Sequence, residues 1–166
     1  MNSSKKTIET EVVSVTKDSP STVSAFLSLG RDYLKDLPIE EREKFLQSIL
    51  ARQGQPERWL LLLKYEKAYA GFAHVKIDKD QRIGWGFILE FYVIPTERKI
   101  GLGRAFFNHI SLMLQARGAK DIWLLPDPKS EQFWRKLGFK QIRELDKETG
   151  RKIMIKSLKP ISQELF

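Results

Sequence analysis

EFYVIPTERKIGLGRAFF, residues 90–107, is the stretch that decides the fold of this chain. Its first part is a dense run of apolar and aromatic residues up to Ile94, which predicts a β-strand. Pro95 ends that pattern, and a helical pattern begins near Gly101. A strand therefore leads through a short loop into a helix, with basic residues on both sides of Gly101 and Gly103.

The first turn of this helix is suited to binding an anion. Its backbone N–H groups have no partner within the helix, and the positive end of the helix dipole lies there. Gly101 and Gly103 allow the backbone to turn and to approach a ligand, while Arg98, Lys99 and Arg104 add positive charge. The loop predicts phosphate binding, but it is neither a P-loop nor the three-glycine dinucleotide fingerprint. Two glycines alone would favour an ordinary turn, because short glycine patterns often occur by chance.

Composition indicates one globular domain. The chain has 166 residues, 42% of them hydrophobic and 30% charged, which suffices for one core and not for two ordinary domains. We predict a flexible N-terminus over residues 1–8 and a single domain over 9–166. There is no cysteine, which excludes disulfides and thiolate metal sites, and we predict no bound metal. Because the sequence shows neither a signal peptide nor an apolar membrane span, we expect a cytoplasmic protein.

The net charge of +8 calls for an acidic partner, such as a phosphorylated cofactor, a lipid headgroup or a nucleic acid. Most basic residues alternate with acidic ones, which is typical of solvated surfaces. Nucleic-acid binding would require clustered basic residues with stacking aromatics on one face, and the sequence shows no such cluster.

Periodicity predicts a mixed α/β (α+β) fold with a mostly antiparallel sheet. Phe45, Leu46, Ile49 and Leu50 are expected to form the buried face of the second helix. The elements predicted in chain order are a strand (10–15), two helices (19–34 and 37–54), a hairpin turning near Glu66 and Lys67 (58–78), a strand (81–94), a helix (101–117), a strand (121–125), a helix (129–138) and two strands (139–145 and 151–158).

Two motifs resemble those of one family. VIPTERKIGLGRAF, residues 93–106, resembles the acyl-CoA-binding motif of the GNAT superfamily of N-acyltransferases, in which two residues separate an Arg or Gln from Gly-x-Gly or Gly-x-Ala. Arg98, Gly101 and Gly103 match it directly. FWRKLGF, residues 133–139, resembles the family's FYEKLGF segment, and the predicted element order is also the family's. The resemblance covers nearly the whole chain and implies about seven strands flanked by about four helices.

The resemblance implies an acetyl-CoA donor and no metal. The fourth strand would separate from the fifth, the pantetheine arm would bind between them near the backbone of Val93, and the pyrophosphate would lie on the amides from Lys99 to Arg104. The implied cofactor-binding residues are Val93, Arg98, Lys99, Ile100, Gly101, Leu102, Gly103, Arg104, Asp127 and Trp134.

The acid–base residues follow from the chemistry of the acceptor. An amine with a pKa near ~10 must lose a proton to attack a thioester. Glu90 is the candidate base, since similar enzymes place a carboxylate on this strand; alternatively it is a structural carboxylate. We expect Glu90→Gln to slow the reaction most at low pH. His74 is a reserve base. Trp134 replaces the family's tyrosine acid and cannot supply a proton, which leaves Tyr92 as a candidate acid; Asp127 replaces a frequent asparagine.

Three functions compete at this point. The first is N-acetyl transfer from acetyl-CoA to a primary amine by direct attack. The second is a catalytically weak CoA-binding sensor or partner domain, suggested by Trp134. The third is a nucleic-acid-binding module. Similar proteins bind the acceptor near the segment GRDYLKDLPIEE, residues 30–41, but the sequence does not identify that amine. We expect a monomer or homodimer without nucleic-acid or membrane partners.

Overall fold

The computed structural model describes residues 8–160 of the chain. Its strands are β1 (Thr10–Ser14), β2 (Arg58–Tyr65), β3 (Ala68–Ile77), β4 (Gly86–Val93), β5 (Asp121–Leu124), β6 (Lys140–Leu145) and β7 (Lys152–Ser157). Its α-helices are α1 (Pro20–Tyr33), α2 (Ile39–Ala51), α3 (Leu102–Ala116) and α4 (Glu131–Lys136), with short 3₁₀ helices at Pro95–Ile100 and Pro128–Ser130. No helix within residues 8–160 has the length and apolar character needed to cross a membrane.

The seven strands form one sheet in the order β1-β2-β3-β4-β5-β7-β6. All neighbours pair antiparallel except β4 and β5, which are parallel. Only the first three residues of β4 pair with β5, ending at Ile88 opposite Leu124. Beyond that point β4 continues to Val93 while β5 has ended. The two strands therefore separate, and the second half of β4 has a partner only on its β3 side.

Alternating residues of the central strands pack against helices on both faces of the sheet. Leu61 of β2 belongs to a buried cluster with Phe106 of α3. Its neighbour Leu60 belongs to a second cluster, which contains Phe26 of α1 and Leu46 of α2. The sheet thus lies between two helical layers, α3 and α4 on one face and α1 and α2 on the other.

The predicted fold class and order of elements are confirmed, with seven strands and four α-helices in the described part of the chain. The β2–β3 hairpin turns at Glu66 and Lys67, whose φ angles are 49° and 69°. Two positive φ values in succession are characteristic of a tight two-residue hairpin.

One local prediction is wrong. Phe45 is 38% exposed, because Leu46, Ile49 and Leu50 already form the inner stripe of α2 and Phe45 lies beside it. The flexible N-terminus over residues 1–8 stays a prediction, and Ile8 packs against the core cluster of the α3 face. Residues 1–7 of that predicted terminus lie outside the described residues.

The approach of β3 to the end of β4 gives a stability prediction. A Cβ at Gly71 would lie 2.4 Å from the backbone carbonyl oxygen of Tyr92, which cannot move without breaking the ladder. We expect Gly71→Ala to lower the free energy of unfolding by roughly 1–3 kcal/mol or more, the cost of overpacking. Urea unfolding measures this loss.

Gly30→Ala is the matched control. Its Cβ would meet the flexible end of the Leu46 side chain at 2.5 Å, and alanine also favours the helix by about 1 kcal/mol. We expect a clearly smaller loss than for Gly71→Ala. Equal losses would show that the backbone contact at Tyr92 is not what requires glycine.

Candidate active site

A left-handed glycine connects the open end of the sheet to α3. The 3₁₀ helix Pro95–Ile100 follows β4, and Gly101 then takes φ 88° and ψ 10° immediately before the first residue of α3. L-amino acids with a Cβ rarely adopt this conformation. Among the side chains that the structure describes, none caps the first turn of α3, and that turn contains no acidic residue. The free amides and the positive end of the helix dipole are therefore available to an anionic ligand.

The two glycines of the motif have different local roles. A Cβ at Gly103 would lie 2.9 Å from the ring of Phe133, so this glycine allows α3 to pack closely against α4. A Cβ at Gly101 would meet the Ile8 side chain at 3.2 Å, and the backbone conformation is the stronger constraint there. Gly103 therefore meets a packing requirement, and its predicted role in the approach of a ligand stays a prediction. The Leu102 side chain is fully buried, which leaves only its backbone to face a ligand.

The basic residues of the loop are arranged around the end of β4. Arg98 donates from Nε to the carbonyl oxygen of Val93 at 2.7 Å, and its guanidinium lies 5.5 Å from the centre of the Tyr92 ring. The Val93 carbonyl thus already has one partner and retains a second lone pair for another donor. Ile100 and Arg104 are exposed beside the glycine turn. The Lys99 side chain lies outside the described residues.

Glu90 lies in the part of β4 that has separated from β5. Its side chain is partly buried, and Oε2 accepts a hydrogen bond of 2.5 Å from the hydroxyl of Tyr33, at the end of α1. Burial raises the pKa of Glu90 to about 7, although the Tyr33 hydrogen bond and the charge of Arg151 act in the opposite direction. Close to neutral pH this carboxyl group can both accept and release a proton, as a general base requires.

Tyr33 is a site residue that the sequence analysis did not identify. It is 57 positions from Glu90, so no local motif connects the two residues. Burial, followed by the neighbouring Glu90 charge, raises the pKa of Tyr33, and its hydroxyl therefore stays protonated as a donor. The only available sequence signal was a polar residue at the C-terminal end of the apolar stripe of α1.

The reserve base His74 and the candidate acid Tyr92 are both hydrogen-bonded to other side chains. His74 is opposite Glu90 on β3 and is almost fully buried, and its Nε2 accepts from Arg58 at 2.9 Å. Burial, with the Arg58 charge next in size, lowers the pKa of His74 to about 3, which makes it a poor base at neutral pH. The Tyr92 hydroxyl donates a hydrogen bond to Asp32. Burial and that hydrogen bond raise the pKa of Tyr92 to about 12.

The two positions that differ from the family pattern are occupied as follows. Trp134 is buried in an aromatic cluster, with its ring centre 5.0 Å from Phe91 and 4.8 Å from Phe133. Asp127 is exposed and accepts from the backbone N–H of Lys129 at 3.1 Å, which caps the 3₁₀ helix before α4. Within residues 8–160 no group of three or more His, Asp or Glu side chains is arranged to hold a metal ion.

Comparison with known proteins connects this geometry to a family. Residues 24–139, more than half of the chain, match the Acetyltransferase (GNAT) family. The chain belongs to the GNAT acetyltransferase family.

Solved structures share the fold at low sequence identity. PaiA N-acetyltransferase from Thermoplasma acidophilum, in complex with coenzyme A, aligns with a TM-score of 0.69 and 16% identity over 91% of this chain and 100% of that chain. Aminoglycoside 6'-acetyltransferase type Ii aligns with a TM-score of 0.71 and 18% identity over 90% of this chain and 98% of that one. Ard1 from Thermoplasma volcanium aligns with a TM-score of 0.65 and 12% identity over 91% of this chain and 99% of that one. Comparison with curated proteins finds no significant match.

The left-handed turn before α3 gives a binding prediction. We expect Gly101→Val to weaken coenzyme A binding by roughly tenfold or more, because loss of even one charge-assisted hydrogen bond costs about 1.5–3 kcal/mol. The branched side chain is also incompatible with φ 88° at this position. Calorimetry with coenzyme A on the folded variant measures the change.

Gly118→Val provides the matched control at the other end of α3. Gly118 has a φ of 99°, and within residues 8–160 no atom beyond Gly118 itself and its two chain neighbours lies within 4 Å of the position that its Cβ would take. The control therefore introduces similar backbone strain away from the site. Equal affinities for the two folded variants would mean that the Gly101 turn does not bind the phosphates.

Proposed function

We propose that this protein is an N-acetyltransferase that moves the acetyl group of acetyl-CoA to a primary amine by direct attack. The observation that carries the proposal is the position of Glu90. A carboxyl group with a pKa of about 7 lies on the half of β4 that has left β5, on the strand that leads into the uncapped first turn of α3. A proton acceptor and an anion site thus belong to one continuous segment of chain.

The residues around the separation fit an acyl-CoA donor. The free amides that begin at Gly101, with Arg98 and Arg104 beside them, would hold the pyrophosphate. The open edge of β4 near Val93 would pair with the amides of the pantetheine arm. The donor supplies the thioester; the chain supplies orientation, charge and a place for the proton.

The chemical step needs one proton acceptor on the protein. The amine nitrogen attacks the thioester carbonyl carbon, the C–N bond forms and the C–S bond breaks. The ammonium form of the amine first gives one proton to Oε1 of Glu90, directly or through water, because Oε2 already accepts from Tyr33. The second proton, lost from the nitrogen as the tetrahedral adduct collapses, goes to solvent. CoA leaves as a thiolate and takes its proton from solvent. The resulting Glu90 carboxylic acid then returns its proton to solvent.

The thiolate can leave without a protein acid. A thiol with a pKa near ~8.5 leaves as thiolate at a cost of only about 2 kcal/mol at pH 7, using about 1.4 kcal/mol per pKa unit. The absence of a tyrosine at Trp134 therefore slows the reaction without preventing it. Tyr92 is not needed as an acid in this scheme, which agrees with its hydrogen bond to Asp32.

Trp134 is also the observation that favours a second function. A chain that binds coenzyme A but lacks a proton source near the sulfur could act as a sensor with little turnover. Thiol release from acetyl-CoA, measured over a panel of amino acids, polyamines, aminoglycosides and peptides, separates the two functions. Coenzyme A binding without release for any amine would favour the sensor.

The raised pKa of Glu90 gives a pH prediction for catalysis. Below pH 7 the carboxyl is mostly protonated and resembles a glutamine, whereas above pH 7 it is ionised and can accept a proton. We therefore expect Glu90→Gln to lower kcat/KM by about 10²- to 10⁴-fold between pH ~7 and the amine pKa near ~10. The loss is smaller at low pH, which reverses the pH expectation drawn from the sequence.

Glu11→Gln, in an exposed position of β1, is the control for the same chemical change. Its pH–rate profile should overlay that of the parent. If Glu90→Gln were as fast as the parent at every pH, Glu90 would be a structural carboxylate. The base would then be Asp127 or bulk water, since the pKa of His74 is about 3.

The position of Trp134 gives a second kinetic prediction. We expect Trp134→Tyr to leave acetyl transfer intact or to raise it, since a phenol would add a general acid, which is typically worth ~10² to 10⁴ in rate. Steady-state rates of thiol release test this, with coenzyme A affinity and urea unfolding measured in parallel. Loss of turnover in a folded variant that still binds coenzyme A would show that the indole itself is required.

A further inference from the structure

The last turn of α1 and the open half of β4 are joined by two crossed hydrogen bonds. Tyr33 of α1 donates to Glu90 of β4, and Tyr92 of β4 donates to Asp32 of α1. Each element thus contributes one hydroxyl and one carboxylate to this pair of hydrogen bonds. The two phenol rings lie 5.3 Å apart between centres.

The Glu90 carboxylate is oriented by this arrangement. Its Oε2 is held at 2.5 Å by the Tyr33 hydroxyl, whereas Oε1 has no hydrogen-bond partner among residues 8–160. The Tyr33 ring is fixed by edge contact with Phe72, 5.5 Å away between centres. One oxygen is therefore tied to α1, and the other is left to receive a proton.

We propose that Tyr33 is a positioning residue for the base: it holds one oxygen of Glu90 so that the other faces the acceptor amine. This role rests on the proposed acetyl transfer.

The other groups around Glu90 do not replace Tyr33. His74 from β3 is neutral and is already paired with Arg58. Arg151, in the turn before β7, favours the ionised form of Glu90 through its charge, but its guanidinium donates to the carbonyl oxygens of Leu125 and Pro126, at 2.9 and 3.1 Å. Among residues 8–160, the side-chain group that donates a hydrogen bond to the Glu90 carboxylate is the Tyr33 hydroxyl.

The test is a titration of the Glu90 carboxyl carbon by NMR in protein labelled at glutamate. Glu90→Gln assigns the signal. Tyr33→Phe removes only the hydroxyl and keeps the ring contacts. We expect the Glu90 midpoint to rise by about one to two pH units, because a hydrogen bond from Tyr33 favours the ionised carboxylate. With an active acceptor, the rising limb of the kcat/KM profile should move by the same amount, and a residual loss should remain above the new midpoint, where Glu90 is ionised but no longer held by Tyr33.

Tyr69→Phe is the matched control, since it removes a hydroxyl from β3 on a side chain that packs with the same cluster. Its Glu90 midpoint and pH–rate profile should equal those of the parent. An unmoved midpoint in folded Tyr33→Phe, or equal shifts in both variants, would overturn the role of Tyr33. The NMR titration needs no acceptor, so it gives this result independently. A parent that releases no thiol with any amine would instead overturn the proposed acetyl transfer.

Discussion

The separation of β4 from β5 is the constraint on which the site depends. β5 is only four residues long, and its pairing with β4 ends at Ile88. Beyond this point, β5 makes no backbone hydrogen bond to the edge of β4 that faces it. An unpaired strand edge inside a sheet is costly unless another group satisfies it. Arg98 satisfies the Val93 carbonyl, and the remaining edge is the part that an extended amide-bearing ligand could complete.

The two faces of the open half of β4 have different roles because side chains alternate along a strand. Phe91 faces the cluster of α3 and α4, where its ring lies 5.3 Å from Phe106 and 5.0 Å from Trp134. Glu90 and Tyr92 face α1, where both are hydrogen-bonded. One strand therefore anchors the helix that begins the anion site and also carries the candidate base. Moving either function would require a change of register, which would turn Phe91 away from its core.

The sequence was sufficient for features that depend on local pattern. Apolar periodicity and turn residues predicted the order of the elements, and Gly101 was correctly recognised as a turn with a special backbone. Features that depend on tertiary contact were not predictable. The ring of Phe133 explains Gly103, and the two residues come from helices far apart in the chain. The Tyr33–Glu90 bond joins residues 57 positions apart, and the pKa of Glu90 is set by burial that no local pattern encodes. Phe45 shows a related limit, since an apolar residue beside a helix stripe is not always buried.

The partial burial of Glu90 gives it a pKa that is high enough to take a proton and low enough to leave it partly ionised at neutral pH. Full exposure would leave the carboxylate with a pKa near ~4.3, too weak to take a proton from an ammonium group at neutral pH. Complete burial without a donor would keep it protonated, and it would then not act as a base at all. In this structure burial raises the pKa, while the Tyr33 hydroxyl and the Arg151 charge oppose the rise, and the value stays near 7. The two opposing groups come from α1 and from the turn before β7, so the acid–base balance of β4 is set by elements distant in the chain. A change at either element alters the fraction of ionised Glu90 without touching the strand that carries it.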